Sequence, residues 1–226
     1  MPRSTPSFPA LPALLVGLAL SAPLTGCLTP PLTERPSADE RLGQLLEAPD
    51  APAPELARDL RSLSLQHPEH VPTLIADAAL SIETGRADRA VSLLDLALKA
   101  EPDNVDAVQL SVQVAARSGD LAGAHRRVES ALRTRPDSPG LHEAHAALLF
   151  VEQRYAEALE ALDRADALAG ETSWRSHYHR GLIAEDLGEL EVAERHYETC
   201  SEVKPTFEPA ARRLRWIRAQ AAIEEG

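Results

Sequence analysis

Between Val71 and Phe207 the chain repeats one arrangement of small, apolar and polar positions about every 34 residues. Ala90, Ala124, Ala158 and Ala193 recur at steps of 34, 34 and 35. Gly85, Gly119 and Gly188 stand five residues ahead of the first, second and fourth of these. A large apolar residue follows each alanine four positions on, as Leu94, Val128, Leu162 and Tyr197. Three positions later comes another small one, Ala97, Ala131, Ala165 or Cys200. The spacing i, i+4, i+7 marks one face of a helix. The pattern therefore predicts a helix behind each turn, with glycine supplying the turn and Pro102, Pro136 and Pro205 closing the units. A first helix precedes each turn, carrying Ala78, Ala146 and Gly181 where small side chains let two helix axes approach closely. The frame yields four units of two helices each, 71–104, 105–138, 139–173 and 174–207.

The same frame extends past both ends. Ser37 and Glu40 form a capping-box pattern ahead of Leu42, Leu45 and Leu46, which predicts a helix start. A proline-rich turn follows from Ala48 to Pro54. Leu56, Leu60 and Leu63 then occupy the i, i+4, i+7 positions, and Leu56 lies 34 residues before Ala90. Residues 37–70 read as a degenerate unit. Beyond Pro205 the pattern predicts one more helix, about Pro209 to Ala222, within residues 208–226. A stack of repeats needs a terminal helix with one wet face; Leu214, Ile217 and the stem of Trp216 would cover the last unit while Arg212, Arg213, Arg215 and Arg218 face water.

This pattern resembles the tetratricopeptide repeat (TPR), which implies an all-α fold, a right-handed superhelix of antiparallel helix pairs. The sequence departs from that family at packing positions of the first helix. Leu74, Val108, His142 and His177 hold the usual aromatic place, and Asp77, Ser111, His145 and Arg180 the bulky place three residues on. Val112 replaces a small residue in the second unit, and Gln153 and Gly170 replace Gly and Pro in the third. The stack is expected to count as one elongated domain, since neighbouring units share a continuous core.

Residues 1–26 have the layout of a signal peptide. Arg3 gives a positive start, Ala10 to Leu20 an uncharged apolar run too short to anchor as a membrane span of about twenty residues. The run ends in Leu24-Thr25-Gly26-Cys27, which resembles the bacterial lipobox. That resemblance implies lipid attachment at the Cys27 sulfur and cleavage just before it, leaving Cys27 as the new N-terminus. Residues 27–36 would form a tether, with Pro30, Pro31 and Pro36 favouring extended geometry over roughly 25–30 Å. Leu28, rather than Asp, follows the cysteine, which implies delivery to the outer membrane, facing the periplasm.

Composition changes the picture only slightly. Aromatics make up 4% of the chain, and Ala, Leu, Glu and Arg dominate, which suits long helices. The net charge is -12; cleavage before Cys27 would leave 22 basic against 35 acidic groups, or -13. Such a balance argues against a nucleic-acid partner, because phosphate binding draws on clustered Lys and Arg. With Cys27 acylated, Cys200 has no partner within the chain and reads as a small buried apolar residue.

Catalytic patterns are sparse. His142-Glu143-Ala144-His145 is one residue short of the H-E-x-x-H zinc-protease helix, and His177 and His179 fall on different sides of their helix. Neither a metal nor another cofactor is expected, and the chain reads as a protein without enzymatic activity. The fold that the resemblance implies offers an elongated concave surface lined by first helices. Carried over residue by residue, the groove-facing positions include Ile75 and Ile82 from the first unit, and Gln109, Gln113 and Arg117 from the second. The third contributes Glu143 and Phe150, and the fourth Arg175, Tyr178 and Leu182. The Lys and Asn of a terminal-carboxylate clamp are replaced by Ile75, Gln109, Glu143 and Tyr178, then by Ala79, Gln113, Ala147 and Leu182. An extended or helical protein segment with an apolar anchor fits these positions better. The expected function is that of a membrane-anchored interaction scaffold binding a peptide or protein of unknown identity in a cell-envelope assembly. An adaptor that recruits a cell-wall hydrolase or protease is the alternative, and a metal-dependent enzyme a remote one.

Overall fold

The computed structural model describes residues 36–47 and 53–224, and these form eleven helices. The proposed signal segment and Cys27, with most of the tether and most of the proline-rich turn, lie outside the described residues. The first pair is α1 (Ala38–Leu46) and α2 (Ala53–Gln66). The four units follow as α3 (Val71–Glu83) with α4 (Ala87–Ala100), α5 (Val105–Ser118) with α6 (Leu121–Thr134), α7 (Pro139–Val151) with α8 (Tyr155–Ala169), and α9 (Trp174–Asp186) with α10 (Leu190–Val203). The last helix, α11, runs Glu208–Glu224. Each helix packs on its successor, and the first helices α3, α5, α7 and α9 also touch in series. The described elements therefore make a stack in which contacts stay between neighbours.

The recurring small residues sit at the helix crossings. Ala90, Ala124, Ala158 and Ala193 are fully buried, as are Leu94, Val128, Leu162 and Tyr197 four positions on. Burying each such large side chain contributes about 1.5–3 kcal/mol, so the face repeated in the sequence is also the one that holds the stack together. Gly85, Gly119 and Gly188 adopt the left-handed backbone their turns require, with φ of 75°, 83° and 80°. In the third unit that conformation falls on Gln153, at φ 61°.

At the ends, the Ser37 hydroxyl accepts from the Glu40 amide while the Glu40 carboxylate accepts from the Ser37 amide, a complete capping box. Leu42, Leu60, Leu63 and Leu80 bury one another where α1 and α2 close the stack on α3. At the other end Ile217 and Ala210 of α11 cover Ala193, Tyr197 and Cys200 of α10. Leu214 is half-buried against the same cluster. Trp216 is covered only in part, being 47% exposed.

Three of the four polar residues at the bulky position of the first helices are tied into the structure by hydrogen bonds or ion pairs. Asp77 is 1% exposed. It accepts from Ser64 of α2 at 2.8 Å and from the Arg89 guanidinium of α4, so three helices meet at one carboxylate. Ser111 donates to the Ala107 carbonyl at 2.8 Å. Arg180 pairs with Asp163 at 3.0 Å and Asp166 at 2.6 Å on α8.

A concave apolar cleft as candidate binding site

Three first helices, α5, α7 and α9, and the turn that leads into α11 enclose a cleft of about 310 Å³. Its floor is apolar: Val112 and Ala116 from α5, Ala144, Ala147, Phe150 and Val151 from α7, Trp174 and Tyr178 from α9, and Phe207 from the turn. The aromatic side is preassembled. Trp174 packs on Phe207 with centroids 4.7 Å apart, and Tyr178 meets Phe207 edge-on at 4.9 Å. Rings fixed against one another lose little conformational freedom when a partner arrives.

Polar groups stand around this floor, and most are engaged. The Gln109 amide donates to the Gly140 carbonyl at 3.4 Å, while Gln113 is exposed at the rim. Glu143 is 6% exposed and accepts from the Ser173 hydroxyl. Ser173 in turn caps α9 by accepting from the Ser176 amide at 3.0 Å. Burial pushes the Glu143 carboxyl above its ordinary range, with the Ser173 bond acting in the opposite direction. The carboxylate ties α7 to the start of α9. Arg175 lays its guanidinium over the Trp174 ring, 4.5 Å from the centroid. The His179 Nδ1–H donates to the Arg175 carbonyl at 3.0 Å, and burial pushes its pKa down to about 4, so the ring is neutral at pH 7.

The structure brings Gln109, Gln113, Glu143, Phe150, Arg175 and Tyr178 together around this cleft and places four other groove candidates elsewhere. Ile82 is buried at 3% exposure in the core of the first unit and cannot reach a partner. Ile75 packs at the edge of that same core. Arg117 donates to the Ile82 carbonyl at 2.7 Å and so links two units. Leu182 packs against the cluster under α11. Trp174, Phe207 and His179, which the repeat frame does not single out as groove positions, complete the wall.

Of the histidines singled out in the sequence, His142, His177 and His179 have local hydrogen-bond partners. His142 Nε2–H donates to the Pro136 carbonyl at 2.8 Å. His177 and His196 share one hydrogen bond between their Nδ1 atoms at 3.2 Å. Among the described residues no group of three or more His, Cys, Asp or Glu side chains is placed to hold a metal ion, and no described helix is long and apolar enough to cross a membrane. Cys200 is buried as a small core residue, and desolvation raises its thiol to about 11.

Residues 81–148 and 175–207 match tetratricopeptide repeat family models. A bovine (Bos taurus) relative, tetratricopeptide repeat protein 36, is 29% identical over 140 residues, which cover 61% of this chain and 73% of the relative. Among solved structures, a thermophilic TPR protein of Thermus thermophilus superposes with a TM-score of 0.65 at 17% identity, covering 79% of this chain and 96% of that one. The fold is of the tetratricopeptide-repeat type. A chain of the APC/C hetero-tetramer gives a TM-score of 0.59 at 14% identity over 75% of this chain; the TPR stack described here spans about a third of it, 34%. A fold of this type suggests a protein-interaction scaffold.

Proposed function

We propose that this TPR protein holds a segment of a partner protein in the cleft between α5, α7 and α9. The observation that carries the reading is the preformed aromatic wall of Trp174, Tyr178 and Phe207 facing Phe150 across an apolar floor. A cleft of about 310 Å³ is at the lower end of those that enclose a ligand group, so it suits one bulky side chain of a segment that continues along the concave face. The lining that carries the reading is apolar and aromatic, so the reading is of binding. The partner protein is of unknown identity. A photo-crosslinking residue at Gln113 on the rim should yield partner adducts in cells, whereas one at the exposed Glu160 of α8 should not. Adducts from Glu160 with none from Gln113 would move the site to the outer face.

The scaffold is further proposed to work from a membrane, through lipid on Cys27, at the periplasmic side of the outer membrane and within an envelope assembly. This rests on Leu24-Thr25-Gly26-Cys27 behind an uncharged apolar run. In a Gram-negative host given labelled palmitate the protein should take up label and sediment with membranes, and Cys27→Ser should do neither. Each buried CH₂ contributes about 0.8 kcal/mol, so several acyl chains hold the protein where one would exchange. Label retained by the serine variant would overturn the anchor.

A further inference from the structure

Tyr178 forms part of two hollows. One is the apolar cleft; the other, of about 470 Å³, is bounded by Glu185, Pro209, Arg212, Arg213 and Trp216. The apolar cleft and the hollow beside the arginines of α11 therefore meet at the Tyr178 side chain. Charge is unevenly used around this junction. Glu185 accepts from the Tyr197 hydroxyl at 2.7 Å and pairs with Arg213. Glu143 is occupied by Ser173. Arg215 is paired with Glu208, and Arg218 with Glu194 and Glu198. Among the described residues neither Arg212 nor Arg175 is in an ion pair; Arg175 lies over the Trp174 ring instead, and Arg212 is exposed. Both acids bordering the surface are satisfied, whereas the exposed Arg212 beside Tyr178 is in no ion pair among the described residues.

We infer that the segment bound in the cleft is acidic: it carries an Asp or Glu side chain near its apolar anchor, and Arg212 receives that carboxylate while the anchor occupies the aromatic cleft. The inference rests on the cleft being the binding site. The molecule's net charge of -12 does not oppose it, because charges more than about 8 Å away are largely screened at physiological ionic strength. A guanidinium in contact is not. A bidentate pairing of arginine with carboxylate also fixes geometry, which gives the segment a direction along the face.

The test uses the full chain in detergent and a displayed library of random twelve-residue peptides. Enriched sequences are then remade as dye-labelled peptides, acetylated and amidated at their ends, and titrated by anisotropy. Enriched peptides should pair a bulky apolar residue with Asp or Glu at a recurrent spacing. Changing that acid to Lys should weaken binding at least tenfold, as should Arg212→Ala, while Arg215→Ala should leave binding unchanged. Enrichment of Lys or Arg beside the anchor, or binding lost in Phe150→Ala yet untouched by Arg212→Ala, would overturn the acidic partner and keep the cleft. Binding that needs a free C-terminal carboxylate would also overturn it. Peptides that bind both variants like wild type, in proteins matched for melting temperature, would remove cleft and acid together.

Discussion

At the scale of single residues, the informative positions are those where a side chain sits against its own preference. Gln153 holds a left-handed backbone, φ 61°, that its counterparts in the other units assign to glycine. An L-residue there costs roughly 1–2 kcal/mol, of which glycine recovers part after its own larger chain entropy is counted. Gln153→Gly should therefore raise the melting temperature, by the equivalent of up to about 1 kcal/mol. Asp77 and Arg89 are a second such case. Arg89→Ala leaves a carboxylate at 1% exposure with only Ser64 and Ser81 as hydrogen-bond partners, and stranding a buried charge in this way costs about 3–5 kcal/mol. Asp77→Leu leaves a guanidinium that can turn to water, so it should cost clearly less; equal losses in chemical denaturation would contradict the asymmetry. The His177–His196 pair gives a pH dependence. Desolvation lowers the pKa of both rings, to about 4 for His196, with Arg180 acting in the same direction on each and His177 and Arg195 adding to it at His196. The folded state then binds fewer protons than the unfolded one. Stability is complete above pH 6.5 and falls as the pH drops from there towards 4. His196→Gln should flatten the melting-temperature profile between about pH 7 and 5, and an unchanged slope would assign the loss to other groups.

At the scale of helices, the frame was legible because close crossings demand small side chains at fixed places, and the chain supplies them every 34 or 35 residues. The last unit shows how a departure is accommodated. Tyr197 stands where the others have Leu or Val, and it fits because Gly181 faces it: a methyl group at residue 181 would lie 2.6 Å from the ring. Gly181→Ala should destabilise by about 1–3 kcal/mol, and most of that should vanish in a Tyr197→Leu background, a coupling a double-mutant cycle reads directly. A similar overpacking argument makes Ala158→Leu melt below the solvent-facing Glu160→Leu. The cleft was less legible. Gln109, Phe150 and Tyr178 follow from the repeat frame. Phe207, however, lies in the turn before α11, and Trp174 at the first residue of α9, where a rule about helix interiors says nothing. Ile82 was misplaced for the opposite reason: an apolar residue on a first helix can serve the core as readily as the groove, and only packing decides which.

At the scale of the whole molecule, the described contacts pass only between neighbouring helices and units, so stability should be local and the two ends should open independently. Cys200 makes this measurable. It is buried beneath α11 in a cluster with Ile217 and Tyr197, and its thiol, raised to about 11, is both hidden and protonated at neutral pH. Labelling by a maleimide, in a Cys27→Ser background, then requires α11 to lift or α10 to unfold. Ile217→Ala removes a buried anchor of that helix and should cost about 2–5 kcal/mol, accelerating Cys200 labelling at least tenfold. Leu42→Ala removes a comparable anchor at the opposite end, from the cluster with Leu60, Leu63 and Leu80, and should lower protection of α1 and α2 with little effect on Cys200. If both substitutions accelerated labelling equally, the stack would be opening as a single cooperative unit, and the cleft could not be remodelled without unfolding the rest. If only Ile217→Ala does so, the helix that carries Arg212 can move on its own, and the junction at Tyr178 becomes the place where a bound segment would feel that motion.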